Sequence, residues 1–159
     1  RIAGSHFDPA GKGTAQACTI APASQEERTR LTLVGTAAGS IAVWLEGDEL
    51  RARALDRSGC GASQIHAVGR GTAAHAVAAD GGALVSWVTD KGALVAAKVG
   101  KDGKPSEKGG EVAKAAGAVM NPSLAIAGGR AAFAWTEAMG TGVATRRLVL
   151  RTLELTCIP

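Results

Sequence analysis

Three segments of the chain repeat one hydrophobic pattern: a turn containing glycine, four or five apolar or small residues, and then a tryptophan. These segments are AAGSIAVW (37–44), DGGALVSW (80–87) and GGRAAFAW (128–135). The tryptophans are 43 and 48 residues apart, a period typical of proteins built from small repeated units. The pattern therefore predicts the same apolar strand three times.

The second copy gives the clearest prediction of elements. Its apolar runs are separated by the turns Asp80-Gly81-Gly82 and Asp90-Lys91-Gly92 and by a polar loop, and they occupy residues 75–79, 83–89, 93–99 and 111–115. Short runs bounded by such turns are strand and hairpin signals. One unit therefore contains four antiparallel strands. Residues 112–120 also fit a helical period, which is the alternative for that segment.

The rest of the chain divides in the same way. Residues 1–30 are predicted to hold outer strands of a preceding unit and a linker, with one strand at 14–20. Two complete units follow at 31–70 and 71–117. An incomplete unit occupies 118–159, where a long third strand at 145–155 has no fourth strand after it. We expect an all-β fold of about three four-stranded sheets.

This arrangement resembles β-propeller repeats, particularly those of secreted and periplasmic bacterial proteins. The resemblance rests on the strand that ends in Trp and on the phrase L-x-A-x-x-L-D-x-x-G, which begins at Leu50. It implies that each unit is a propeller blade and that the blades belong to a larger or composite propeller. A β-sandwich or an open β-meander is the alternative fold. The chain lacks the Gly-His…Trp-Asp pairing of WD40 blades and the Ser-x-Asp-x-Gly-x-x-Trp box of sialidases, so it inherits no site residues from those families.

Composition narrows the classes of partner. A chain of 159 residues that is 46% apolar is long enough for one domain with a hydrophobic core. The net charge of +4 is modest, and with only three Trp and two Phe no aromatic side chains are left over for stacking on bases. We therefore predict no nucleic-acid partner. No apolar run reaches the 18 residues of a membrane-spanning helix.

The three cysteines are Cys18, Cys60 and Cys157. A disulfide between Cys18 and Cys157 is predicted if strand 14–20 lies beside strand 145–155, as in the closure of a propeller ring. Cys60 lies between two glycines and is predicted to be a free thiol or to form an interchain bond. Cysteine use of this kind is compatible with an oxidising compartment, and the predicted location is secreted or in the cell envelope.

No constellation of residues predicts catalysis, a metal or a cofactor. His66 and His75 fall on successive strands, but no carboxylates or further histidines converge with them in the sequence. Trp44, Trp87 and Trp135 occupy equivalent places in apolar strands, which favours core positions over exposed platforms for sugars.

The predicted function is therefore that of a non-catalytic interaction or scaffold module in a larger secreted or cell-envelope assembly. Additional blades would come from another chain, another copy or the rest of the parent polypeptide. The alternatives are a carbohydrate-binding propeller and a fragment of a propeller hydrolase.

Overall fold

The structure is a computed structural model that describes residues 1–5, 10, 12–13, 17–115, 117–139 and 145–159. The described residues form β-strands and one 3₁₀ turn at Leu155–Cys157, with no α-helix. The strands are β1 (Ile2–Gly4), β2 (Cys18–Ala21), β3 (Arg28–Thr36), β4 (Gly39–Glu46), β5 (Glu49–Leu55), β6 (His66–Arg70), β7 (Thr72–Ala79), β8 (Gly82–Val88), β9 (Ala93–Val99), β10 (Gly110–Lys114), β11 (Val119–Ala127), β12 (Arg130–Met139) and β13 (Thr145–Glu154). The prediction of an all-β fold is confirmed.

Consecutive strands pair antiparallel in separate sheets. The first sheet contains β3–β6, the second sheet contains β7–β10, and the third sheet contains β11–β13. Strands β1 and β2 form an additional N-terminal pair. None of these sheets closes on itself within the described part of the chain. The first strands of the three sheets lie side by side, since β3 contacts β7 and β7 contacts β11.

Local sequence determines most of these strands. Strand β9 has the bounds expected from its apolar run. The turn Asp80-Gly81 joins β7 to β8 with φ values of 42° and 78°, the left-handed conformations that a tight two-residue hairpin requires. Within the segment that has a helical alternative, residues 112–114 and 119–120 lie in strands, because β10 pairs with β9 and β11 pairs with β12. Part of the predicted strand at 14–20 lies outside the described residues, and β2 starts at Cys18.

The sheets pack through the same two faces each time. Side chains alternate between the faces of a strand, so Val43 and Leu45 lie on the face opposite Trp44. That opposite face packs on Val85 and Trp87 of the second sheet. The opposite face of the second sheet then packs on the tryptophan face of the third sheet, where Phe133 and Trp135 lie. The tryptophan face of the first sheet is covered by the N-terminal strand pair.

The cysteine pairing differs from the prediction. Cys18 is bonded to Cys60, with 5.1 Å between their Cα atoms, and Cys157 is an exposed free thiol. The predicted Cys18–Cys157 disulfide is therefore wrong, as is the prediction that Cys60 is free or interchain. The reason is the position of β2, which lies on the tryptophan face of the first sheet, where the Arg53 guanidinium donates to the Ile20 carbonyl. Cys157 follows β13, and nearby the Pro159 carbonyl accepts a hydrogen bond from the backbone N–H of Lys98 in the second sheet.

Two glycines accommodate the Trp87 indole. A Cβ atom built on Gly69 of the first sheet, or on Gly109 before β10, would collide with the indole ring. The ring is rigid and buried, so it cannot move aside as a flexible side chain would. Neither glycine has a positive φ, and close approach is therefore the reason that glycine is needed at these two positions.

Replacement of Gly69 with alanine should therefore lower the free energy of unfolding by about 1–3 kcal/mol, the usual cost of overpacking a core. Urea unfolding followed by tryptophan fluorescence measures this loss. Gly35→Ala is the matched control, because no atom lies within 4 Å of a Cβ built there. Equal losses in the two variants would contradict the packing account.

Candidate functional site

The first strand of each of the three larger sheets carries the same irregularity. From Thr29 to Thr32 the chain of β3 advances by three residues, whereas the paired segment of β4 advances by two. Strand β3 therefore has one extra residue there, which forms a β-bulge. Equivalent bulges occur in β7 between Thr72 and His75 and in β11 between Met120 and Ser123. A bulge of this type bends the strand and redirects side chains, and bulges are common beside functional sites.

Each bulge contains a residue other than glycine in the left-handed region. These residues are Arg30 (φ 56°), Ala73 (φ 51°) and Asn121 (φ 48°). Their spacings of 43 and 48 residues equal those of the tryptophans, so the bulge belongs to the repeat. The conformation costs about 1–2 kcal/mol for most side chains, and such strain is often found at binding sites. Sequence analysis missed the bulges because only Asn121 is a residue type that favours the left-handed conformation.

The three bulges meet around one cavity, which we call the bulge pocket. It has a volume of about 220 Å³ and is lined by Arg30, Ala73, His75, Asn121, Pro122 and Ser123. One guanidinium, one imidazole, one amide and one hydroxyl therefore surround the same space. Among the residues that the structure describes, no carboxylate lines this pocket.

The positive charge of the bulge pocket has no acidic neighbour in the described part of the chain. Five arginines lie on the strands of the first sheet, and within the described part of the chain Arg30 is the one without a hydrogen bond or ion pair to another residue. Desolvation lowers the pKa of His75, and the positive charge of Arg30 lowers it further. His75 is therefore neutral at pH 7, and Arg30 supplies the positive charge of the pocket.

The other end of β3, β7 and β11 has different chemistry. A cavity of about 630 Å³ lies there between the hairpin turns, and it is lined mostly by glycine and alanine residues together with Ile126 and Leu155. Asp80 is the one ionisable residue in this lining, and it is part of a hairpin turn. Polar groups that can contact a ligand therefore converge at the bulge end of these strands.

The third sheet has an exposed apolar face, which we call the open face. It consists of the side chains that point away from the second sheet: Ala132, Ala134, Thr136, Leu148, Leu150 and Thr152. Leu148 and Leu150 are 75% and 68% exposed. Pairing of Leu148 with Thr136 and of Leu150 with Ala134 places both leucines on this face.

The same positions are buried in the other two sheets. Leu148 pairs with Thr136, the residue after Trp135. Leu50 and Leu94 pair in the same way with Leu45 and Val88, the residues that follow Trp44 and Trp87. The three leucines therefore occupy equivalent positions in their sheets. Leu50 and Leu94 are both 0% exposed because the next sheet covers them. The sequence thus has leucine at this position in all three sheets, although in the third sheet no described residue covers the leucine.

The three tryptophans are buried side chains between sheets, with at most 4% of the surface exposed. In the third sheet the Trp135 indole N–H donates to Glu137 Oε1 at 2.9 Å, and the Arg147 guanidinium binds Glu137 Oε2 at 2.7 Å. The bond from Trp135, followed by the one from Arg147, lowers the pKa of Glu137. This buried carboxylate is therefore ionised and held by its neighbours, which indicates a structural role.

Several kinds of site are absent from the described residues. They contain no group of three or more His, Cys, Asp and Glu side chains that could hold a metal ion. His66 does not line the bulge pocket with His75, and His6 lies outside the described residues. A search for apolar helices long enough to cross a bilayer found none in the same part of the chain.

Comparisons with known proteins give no family for this chain. No protein-family model matches the sequence, and neither the curated proteins nor the solved structures contain a significant match. The open face and the bulge pocket therefore have to be interpreted from their own geometry and chemistry.

Proposed function

We propose that this chain is a non-catalytic interaction module of the β-propeller type, and that its open face binds a further antiparallel sheet of the same repeat. That sheet would present an uncovered tryptophan face and would belong to another chain, to more of the same polypeptide, or to another copy whose N-terminal strand pair no longer covers its first sheet. The observation that carries the proposal is the exposure of Leu148 at a position where Leu50 and Leu94 are fully buried.

The contacts between the described sheets support a partner of this kind. Twice along the chain, the face opposite the tryptophan packs on the tryptophan face of the next sheet. The open face has the same orientation and carries apolar side chains at the same register. Contiguous exposed apolar patches often mark interaction sites. A third contact of the same kind is thus the simplest way to remove the two leucines from water.

The contacts among β3, β7 and β11 support the propeller part of the proposal. In a propeller the innermost strands of successive blades lie around a common axis, and these are the first strands of their sheets. The Cys18–Cys60 disulfide supports a secreted or cell-envelope location, because such bonds persist mainly in oxidising compartments.

The alternatives receive less support from the geometry. A carbohydrate-binding propeller would stack sugars on exposed aromatic rings, but the three indoles are buried between sheets. A hydrolase fragment would need a nucleophile next to a base. Ser86, the fully buried serine, has no hydrogen-bond partner for its hydroxyl among the described residues, so no base contacts it there.

Light scattering as a function of concentration tests the proposal. The wild-type chain should associate as its concentration is raised, because burial of the two leucines is favourable by up to roughly 1.5–3 kcal/mol for each side chain. The double variant Leu148→Lys, Leu150→Lys should remain monomeric with an unchanged circular dichroism spectrum.

The matched control is the variant Leu31→Lys, Leu33→Lys on β3. These leucines are also exposed, at 50% and 59%, but they do not belong to the open face. The control should still associate. Equal loss of association in both double variants would exclude the open face as the interaction surface, and a folded wild-type monomer over the whole concentration range would exclude another copy as the source of the covering sheet.

A further inference from the structure

We propose that the bulge pocket is a binding site for a small oxyanion, a carboxylate or a phosphate group, with Arg30 as its charged ligand. His75, Asn121 and Ser123 would supply hydrogen bonds. The inference does not depend on the open face or on what covers it, because the pocket is lined entirely by residues of β3, β7 and β11.

The first argument is the repetition of strain around one space. Three strands from three sheets each hold a residue other than glycine in the left-handed region, and all three residues line the same pocket. A single strained residue does not by itself indicate a site. Three such residues at the same register place their backbones around one shared cavity. Strain of this kind persists where the surrounding structure holds it, and it is concentrated at binding sites.

The second argument is charge. Arg30 brings a permanent positive charge to the pocket, no carboxylate lines it, and Arg30 has no acidic partner among the described residues. The other arginines of the first sheet pair with Glu46, Glu49 or Asp48 or donate to backbone carbonyls. A guanidinium that is free on a strained strand offers the planar pair of donors that carboxylates and phosphates accept.

The third argument is the set of donors opposite Arg30. The Asn121 amide and the Ser123 hydroxyl can both donate hydrogen bonds, and a neutral imidazole can donate through one nitrogen. These groups come from β7 and β11, whereas Arg30 comes from β3. An anion in the pocket would therefore be contacted from three sheets at once. A volume of about 220 Å³ accommodates such an ion with a few of its waters.

Nuclear magnetic resonance titration tests the proposal with inorganic phosphate and with acetate as separate probes at constant ionic strength. Both the His75 ring and the Asn121 amide signals should shift and saturate, with a Kd on the order of 1–10 mM for at least one probe. Tighter binding of phosphate would identify a phosphoryl ligand, and tighter binding of acetate would identify a carboxylate.

Two variants separate binding in the pocket from general attraction to a basic protein. Arg30→Gln should weaken binding about tenfold or more, because it removes a charge-assisted contact. Asn121→Gly keeps the left-handed backbone while removing the amide, and it should weaken binding about threefold. Arg57→Gln is the matched control, since Arg57 is also exposed and has no ion pair among the described residues, and this variant should bind normally.

The proposal is overturned if neither probe gives saturable shifts at His75 and Asn121. It is also overturned if Arg30→Gln and Arg57→Gln weaken binding equally, because the anion would then respond only to net charge. Should Arg30→Gln fail to fold, Asn121→Gly together with the control decides the question by the same comparison.

Discussion

Replacement of Phe133 with alanine should lower the free energy of unfolding by about 3–5 kcal/mol, the range measured for large-to-small substitutions of buried aromatic residues. Phe133 is fully buried between the second and third sheets, in a core that also contains Leu84 and Leu94. Several alanines also lie in this core, and their short side chains cannot fill the space left by a phenyl ring. Urea unfolding followed by circular dichroism measures the loss.

Leu150→Ala is the control for this substitution. Leu150 lies on the opposite face of the same sheet and is 68% exposed, so its truncation in the monomer should cost less than about 1 kcal/mol. Phe133→Leu should recover most of the lost stability, because it restores apolar volume. Similar losses for Phe133→Ala and Leu150→Ala would contradict the assignment of the two faces.

Removal of the Cys18–Cys60 disulfide should cost about 2–4 kcal/mol, and it is the second large effect that we expect. The two cysteines are 42 residues apart. A crosslink that closes a loop of this length lowers the entropy of the unfolded chain, which raises the free energy of unfolding by up to about 4 kcal/mol. The bond also fastens β2 to the first sheet, where the pair β1–β2 covers the tryptophan face. Thermal unfolding of Cys18→Ser with Cys60→Ser measures the cost.

Cys157→Ser provides the comparison, because Cys157 is a free, exposed thiol. The single variant should melt at the wild-type temperature, and a reductant should lower the melting temperature of both wild type and Cys157→Ser to that of the double variant. A destabilising effect of Cys157→Ser equal to that of the double variant would show that the cysteine pairing is different.

Much of the fold was predictable because the decisive signals are local. Alternation of apolar and polar residues along β5, and the Asp-Gly turn after β7, act over a few residues each. The repeated tryptophan then aligned the three units, which predicted the succession of antiparallel strands. The helical alternative for residues 112–120 was a true ambiguity, since alanine-rich segments fit either period until strand pairing decides between them.

The candidate sites were less predictable. Nothing in the residue types at Arg30 and Ala73 indicates a left-handed backbone, and the bulge becomes visible only from the pairing of β3 with β4 and of β7 with β8. The predicted disulfide was wrong for a related reason, because the pairing of cysteines depends on which strands are neighbours in space. Cys18 lies beside Cys60 because β2 packs on the first sheet.

From the amino-acid sequence alone one could predict the strands, their turns and the three-fold repetition of an apolar strand that ends in tryptophan, because those features depend on interactions between residues close along the chain. It is the packing of the sheets that establishes which faces are covered, where the bulges meet and which cysteines bond. Leu50, Leu94 and Leu148 occupy the same position in three similar strands, and they differ in exposure because a neighbouring sheet covers the first two and not the third. Burial and convergence are properties of the packed sheets, and identical local patterns can end in different surroundings.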